Sequence, residues 1–289
     1  MVALLSFTVT AVSGREAGKH MSAMHMVFFR NAISLAILLV AFRYLGVSLA
    51  SLKSQQPWLQ WGRALIHFCG QWSWMAALLM IPLIELMALE FTFPLIVALL
   101  APFLLGEQLT RARIIAAVVG FIGTLTIILG PLLLQRSGVA GAPSFNVGTL
   151  LAALCAVCFA FNLMGTRYLT RKDGPLTILM FMTVNHTILA FVLGFSTMKM
   201  PALAHVPWII LLGVSSLVAH FALARALAYA DAVVVAPMDF LRIPLMAGLG
   251  VLVYQEPLHM IAIVGTVLVL GGNVVNVWGE RNAMMARRG

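Results

Sequence analysis

Long apolar runs separated by short polar intervals divide this chain, and that spacing limits the folds open to it. A helix that crosses a bilayer needs about 20 mostly apolar residues, because lipid offers no partner to an unpaired backbone amide. Ten such runs fit, at roughly 1 to 19, 23 to 45, 60 to 80, 83 to 105, 110 to 132, 147 to 168, 175 to 197, 207 to 228, 232 to 254 and 258 to 279. With 62% hydrophobic residues, 9% charged residues and a mean hydropathy of +1.02, the chain lies far from the composition of a soluble domain. The expected fold class is all-α integral membrane. The longest polar intervals, 48 to 60 and 135 to 146, are too short to form a soluble domain, so function has to sit within the helices. Arg15 and Glu16 interrupt the first run early. Either residues preceding Met1 complete that helix, or the pair faces a polar space inside the membrane. No basic leader or small-residue cleavage site marks a removable signal peptide.

The second constraint is internal similarity. An ungapped offset of 149 residues, the step from Glu107 to Glu256, also pairs Ala77 with Ala226, Phe91 with Phe240, Leu109 with Leu258 and Gly123 with Gly272. Matches among alanines and leucines carry little weight here. Scarcer types also coincide: Glu90 falls on Asp239, Gln71 on His220, and Pro94 one place from the image of Pro244. The expected organisation is a first five-helix repeat over 1–133, an inter-repeat loop over 134–146, a second five-helix repeat over 147–279 and a basic cytoplasmic tail over 280–289. Because five is odd, the second repeat enters the membrane from the opposite side.

Charge sets the expected orientation. Placing the N-terminus in the cytoplasm puts eleven Lys and Arg residues on the inside, from Arg43 to Arg288, against Arg15, Lys19, Arg136 and Lys199 outside. Both termini are therefore expected to be cytoplasmic. The net charge of +9 is accounted for by this loop bias, and no nucleic-acid module is visible. Cys155 and Cys158 share the CxxC spacing but sit in an apolar run, where two small packing residues are the ordinary reading. No cofactor, metal set or catalytic residue is expected.

Two five-helix units, each with a proline in its fourth helix and an acid about a dozen residues later (Pro94 to Glu107, Pro244 to Glu256), resemble the drug/metabolite transporter superfamily, EamA type. The resemblance covers nearly the whole chain. It implies ten transmembrane helices as two inverted five-helix repeats around a central cavity, lined mainly by the first, third, fourth, sixth, eighth and ninth helices. Bacterial amino-acid and metabolite exporters are the most similar members, which implies export of neutral or aromatic amino acids across a bacterial inner membrane. At Gln255 the chain departs from the family pattern, where glycine is usual before the acid.

Ionisable groups at bilayer depth are costly and are functional candidates by default. His67, Gln71 and Trp74 share one face of the third helix and could line a polar cavity, or could bond neighbouring helices. Glu90-Phe91 and Asp239-Phe240 place an acid beside an aromatic at mirrored positions, a pairing suited to the ammonium and apolar side chain of an amino acid. Alternatively, Asp239 and Arg242 neutralise each other at i, i+3. Arg242 and Arg225 could take a carboxylate or phosphate, and His220 could relay protons. His186 is a further candidate; Arg30 and Glu85 lie nearer helix boundaries. Pro94, Pro237 and Pro244 are candidate hinges, and Glu107 and Glu256 read as caps or contacts between helices.

The leading expectation is a secondary transporter for a small-molecule substrate, with protons as candidate coupling ion and one chain sufficient for function. An organophosphate or nucleotide-sugar-like anion exchanger is the alternative cargo class. An intramembrane enzyme would need a metal-binding acid cluster, a nucleophile with its base or a phosphate loop, and none is present. A channel is usually a symmetric pore with charged or carbonyl rings, and a helical scaffold for partner proteins would not need Glu90, Asp239 and Arg242 at membrane depth.

Overall fold

The structure, a computed structural model, describes residues 2–48, 52–105, 111–136, 146–170, 172–198, 200–229 and 240–288. The chain is an all-α membrane protein, and no strand occurs among the described residues. Its helices are α1 (Val2–Gly18), α2 (Ala23–Tyr44), α3 (Pro57–Met80), α4 (Leu83–Glu90), α5 (Phe93–Leu105), α6 (Arg111–Arg136), α7 (Val147–Leu169), α8 (Pro175–Gly194), α9 (Val206–Tyr229), α10 (Arg242–Leu252) and α11 (Met260–Arg288). Seven segments among the described residues are long and apolar enough to cross a membrane, counting Leu83–Leu100 of α4 and α5 as one. At 24 residues α3 is long enough but too polar, because Gln60, Arg63, His67 and Gln71 line one of its faces. The expected ninth run is described only from Phe240 onward.

Helices group into two compact units that cut across the halves of the sequence: Met1–Leu79 with Phe161–Ala226, and Met80–Ala160 with Leu227–Gly289. In the first unit, α2 packs antiparallel to α8. Phe28 meets Phe191 near one end, with ring centroids 5.7 Å apart, and Leu38 and Phe42 cluster with Leu179 and Met180 near the other. At the latter end the Asp173 carboxylate, between α7 and α8, accepts hydrogen bonds from the Ser54 hydroxyl, the Gln55 backbone N–H at 2.9 Å and Gln60 Nε2 at 2.8 Å. Burial alone would raise the Asp173 pKa, but these three donors outweigh it and hold the group below its ordinary 3.8. An acid with a depressed folded-state pKa stabilises the fold above its unfolded value, and that contribution fades as pH falls through the folded one. Asp173→Asn is therefore expected to lower stability at neutral pH by about 1–3 kcal/mol. It should also flatten the loss of thermal stability that the wild type shows below about pH 3.8. Identical unfolding midpoints and acid slopes for the two proteins would show that the carboxylate clamps nothing.

In the second unit, α6 and α11 form the most extensive helix pair, and small residues set it. A Cβ on Gly123 would sit 2.7 Å from Gly265 O, and one on Gly272 would sit 2.7 Å from Ala116 O. Ala112 lies opposite Gly279 and Gly130 opposite Ile261, so the two helices run antiparallel. The 149-residue offset carries Ala116 onto Gly265 and Gly123 onto Gly272, so the two backbone approaches are images of each other.

The fourth run is a single span in the sequence reading, but the structure divides it into α4 and α5 at Phe91-Thr92. Pro94 is the cause: it has no N–H to give to the Glu90 carbonyl, and its ring crowds that carbonyl. Leu95 N then bonds Thr92 O at 3.1 Å, and the Phe91 carbonyl accepts instead from Asn273 Nδ2 of α11 at 2.8 Å. The N-terminus of α4 is capped by Glu256 Oε2, which accepts from Leu83 N at 2.8 Å. Glu256 can reach it because Gly250 has no Cβ, which would stand 2.4 Å from that oxygen. Gln255 has φ +52°, a left-handed conformation that favours glycine.

Candidate functional site

Polar side chains from four helices of the first unit converge on one buried guanidinium. Arg30 of α2 is 7% exposed. Its Nε donates to Ser216 Oγ of α9 at 2.5 Å, and its Nη2 lies 3.2 Å from His220 Nε2, one turn further along α9. A guanidinium only donates, so His220 Nε2 accepts. The same logic orients Gln71 of α3. With its amide oxygen toward Arg30 it accepts from Nη2 at 2.9 Å, and its NH2 then donates to His186 Nδ1 at 2.8 Å. His186 Nε2, 3.1 Å from Ala64 O, can only donate to that carbonyl, which leaves Nδ1 to accept as the Gln71 bond requires. The His67 ring stacks on His186 with centroids 5.0 Å apart and faces His220 edge-on at 6.4 Å. Asn31, beside Arg30, donates from Nδ2 to Val27 O at 2.7 Å, and with Gln71 in this orientation that nitrogen faces the Gln71 NH2 at 3.2 Å without bonding it.

Sequence comparison singled out Gln71 and His220 as mirrored positions, and both accept from Arg30. His67 and Gln71 of the proposed α3 stripe enter this cluster, while Trp74 is buried one turn further on. Arg30, Asn31, His186 and Ser216 complete it. Sequence reasoning set Arg30 aside as near a helix boundary and named His186 as a candidate without giving it a role. Asn31 and Ser216 are types too common to stand out.

The second unit holds a separate cluster. Arg242 Nη1 meets Glu90 Oε1 at 3.3 Å, with both side chains buried. The guanidinium carbon lies 5.5 Å from the centroid of the Phe91 ring, and Phe91 meets Phe240 edge-on at 5.6 Å. The mirrored aromatics are thus in contact, and Glu90 takes its guanidinium from a helix 152 residues away. Asp239, Glu107 and Pro237 lie outside the described residues, as does the side chain of Arg225.

At the end of the first unit opposite Asp173, a cavity of about 730 Å³ is lined by His20, His25, His205, Met21, Met200 and Thr197, among others. His20 stacks on His205 with centroids 3.6 Å apart, joining the α1–α2 turn to the turn before α9. Among the described residues no group of three or more His, Cys, Asp or Glu side chains is placed to hold a metal ion.

Several known proteins are similar to this chain in sequence. The chain is 25% identical to the S-adenosylmethionine uptake transporter of Rickettsia bellii, over 98% of this chain and 94% of that protein. It is 30% identical to the riboflavin transporter of Brucella anthropi, over 73% of each. Identity to the pseudopaline exporter of Pseudomonas aeruginosa is 27%, over 93% of this chain and 92% of that protein. The EamA-like transporter family matches residues 1–129 and again residues 146–278. The chain therefore belongs to the EamA-like transporter family and is a multi-pass membrane protein.

Proposed function

We propose that this protein is a secondary transporter of the bacterial inner membrane that exports small metabolites with an amino-acid head group, by alternating access of two inverted five-helix repeats about a central cavity. The observation that carries the reading is the Arg30 cluster. Seven polar side chains would not be kept inside an apolar bundle for stability alone, since burying polar groups is at best neutral beside well-packed apolar ones. The repeats proposed over 1–133 and 147–279 draw support from the two family matches and from the α6–α11 contact that maps onto itself. Both termini are placed in the cytoplasm by loop charge.

His67, Gln71 and His220 bind the polar head in this scheme, with Trp74 as an apolar wall. Glu90, Phe91, Phe240 and Arg242 of the second unit are assigned to the solute as a separate acid and aromatic cluster, and Asp239 joins them on its mirrored place in the sequence alone. S-adenosylmethionine carries the same amino-acid head, so the name of the Rickettsia relative favours this cargo class over riboflavin. The relatives' names include both uptake and export, so direction is tested separately.

The test is flux through liposomes containing the purified protein, loaded or unloaded, with labelled methionine, phenylalanine, S-adenosylmethionine and riboflavin, with and without a pH gradient. Saturable movement of the compounds with an amino-acid head, blocked by excess unlabelled amino acid, is expected. Movement of riboflavin alone would replace the cargo class, and no movement of any compound would remove the transport reading. Acceleration by an imposed pH gradient would identify protons as the coupling ion.

A further inference from the structure

We propose that Arg30 is the seat of a carboxylate on the transported solute, an assignment that deepens the transport reading and rests on it for the word "transported". The structure treats its buried arginines differently. Arg242 faces the Glu90 carboxylate. Arg63 bonds Asn162 Oδ1 at 2.8 Å and the Ile178 carbonyl, and reaches Asp173 through Gln60. Among the described residues Arg30 bonds only neutral groups: the Ser216 hydroxyl, the His220 imidazole and the Gln71 amide. A guanidinium held at 7% exposure with no acid beside it is a costly arrangement. An anion arriving with the solute removes that cost.

The neighbours also fit a ligand of one negative charge. His186 and His220 each accept a hydrogen bond through one ring nitrogen, so each is neutral, and Arg30 is the guanidinium bonded into the cluster. A phosphate dianion would need a second cation. A carboxylate matches the planar fork of the guanidinium and balances its charge. The second N–H of the Asn31 amide, which Gln71 does not take in this orientation, and the hydroxyl of Ser216 stand beside it as further donors.

The test reads ligand protection of the full-length protein in detergent, so it does not depend on transport. The unfolding midpoint is followed against concentration of methionine, leucine and phenylalanine, of their three amides, and of inorganic phosphate. At least one acid is expected to protect at a concentration about tenfold or more below its own amide, the size of a lost charge-assisted bond, with phosphate inactive. Arg30→Gln should bring the acid-to-amide ratio to about one, whereas Arg30→Lys should keep the preference for the acid at lower affinity. Equal protection by acid and amide, protection by phosphate equal to that by the acids, a ratio preserved in Arg30→Gln, or no protection by any acid would each overturn the assignment. Should Arg30→Gln fail to fold, the wild-type ratio and Arg30→Lys still decide. If acids protect but nothing crosses the liposomes, the carboxylate seat stands and the transport reading falls. If riboflavin crosses and no acid protects, transport stands and this assignment falls.

Discussion

Gly272→Val is expected to yield little or no monodisperse protein, and Gly272→Ala to lower the unfolding midpoint markedly. A Cβ at this position would lie 2.7 Å from Ala116 O, 3.0 Å from Gly120 N and 3.3 Å from Gly120 Cα, and all three are backbone atoms. A flexible side chain could swing aside, but a helix backbone cannot, so α6 and α11 would have to separate along their length. In lipid, helices associate through close packing and hydrogen bonds, with little hydrophobic drive to restore a lost contact. Overpacking typically costs about 1–3 kcal/mol where neighbours can adjust, and more is expected here. Gly271→Ala is the control. Nothing lies within 4 Å of a Cβ there, and alanine favours a helix over glycine by about 1 kcal/mol. That variant should equal or exceed the wild type. Wild-type behaviour of Gly272→Val would mean that the α6–α11 approach does not hold the unit together.

How much of this was legible in the sequence varies with the range of the interaction. Helices follow from apolar runs, a local property, and the ends of α2, α6, α7 and α8 fall within a few residues of the expected spans. The division of the fourth run was present in Pro94 but needed the geometry of the freed carbonyl to place it at Phe91-Thr92. The 149-residue offset marked Gln71 with His220 and Phe91 with Phe240; the first two converge on Arg30 and the second two touch, because helices at corresponding places in the two halves pack together within each unit. That packing is also why compact units drawn from the coordinates do not follow the sequence halves. What stayed hidden were contacts with no periodic signature. The Glu90–Arg242 pair joins α4 to α10 at no helical spacing, and Arg30 reads as a boundary residue until α3, α8 and α9 close around it. For Asp239, the mirror of Glu90, the expectation lies outside the described residues.

Arg242→Met is expected to destabilise the protein by about 3–5 kcal/mol, the usual effect of stripping one member from a buried ion pair. Both side chains are buried, at 4% and 8% exposure, and their charged atoms stand 3.3 Å apart. The substitution roughly keeps side-chain volume, so lost packing contributes little, and the effect reads the charge left on Glu90. Glu90→Gln alone should also destabilise, because it leaves a buried guanidinium facing an amide. The double variant Glu90→Gln/Arg242→Met should regain most of the lost stability, since neither charge then remains. Transport separates the structural role from the functional one. If the pair only holds α4 to α10, transport returns with stability in the double variant. If Glu90 also receives the ammonium of an amino-acid head, as proposed, stability returns and transport does not. The second outcome is expected, because Glu90 already holds one cation, the Arg242 guanidinium, which lies over the Phe91 ring against Phe240, so acid and aromatic surface stand where an exchanging ammonium would replace it. Recovery of both would reduce this cluster to a structural tie and leave the first unit's Arg30 cluster as the binding site.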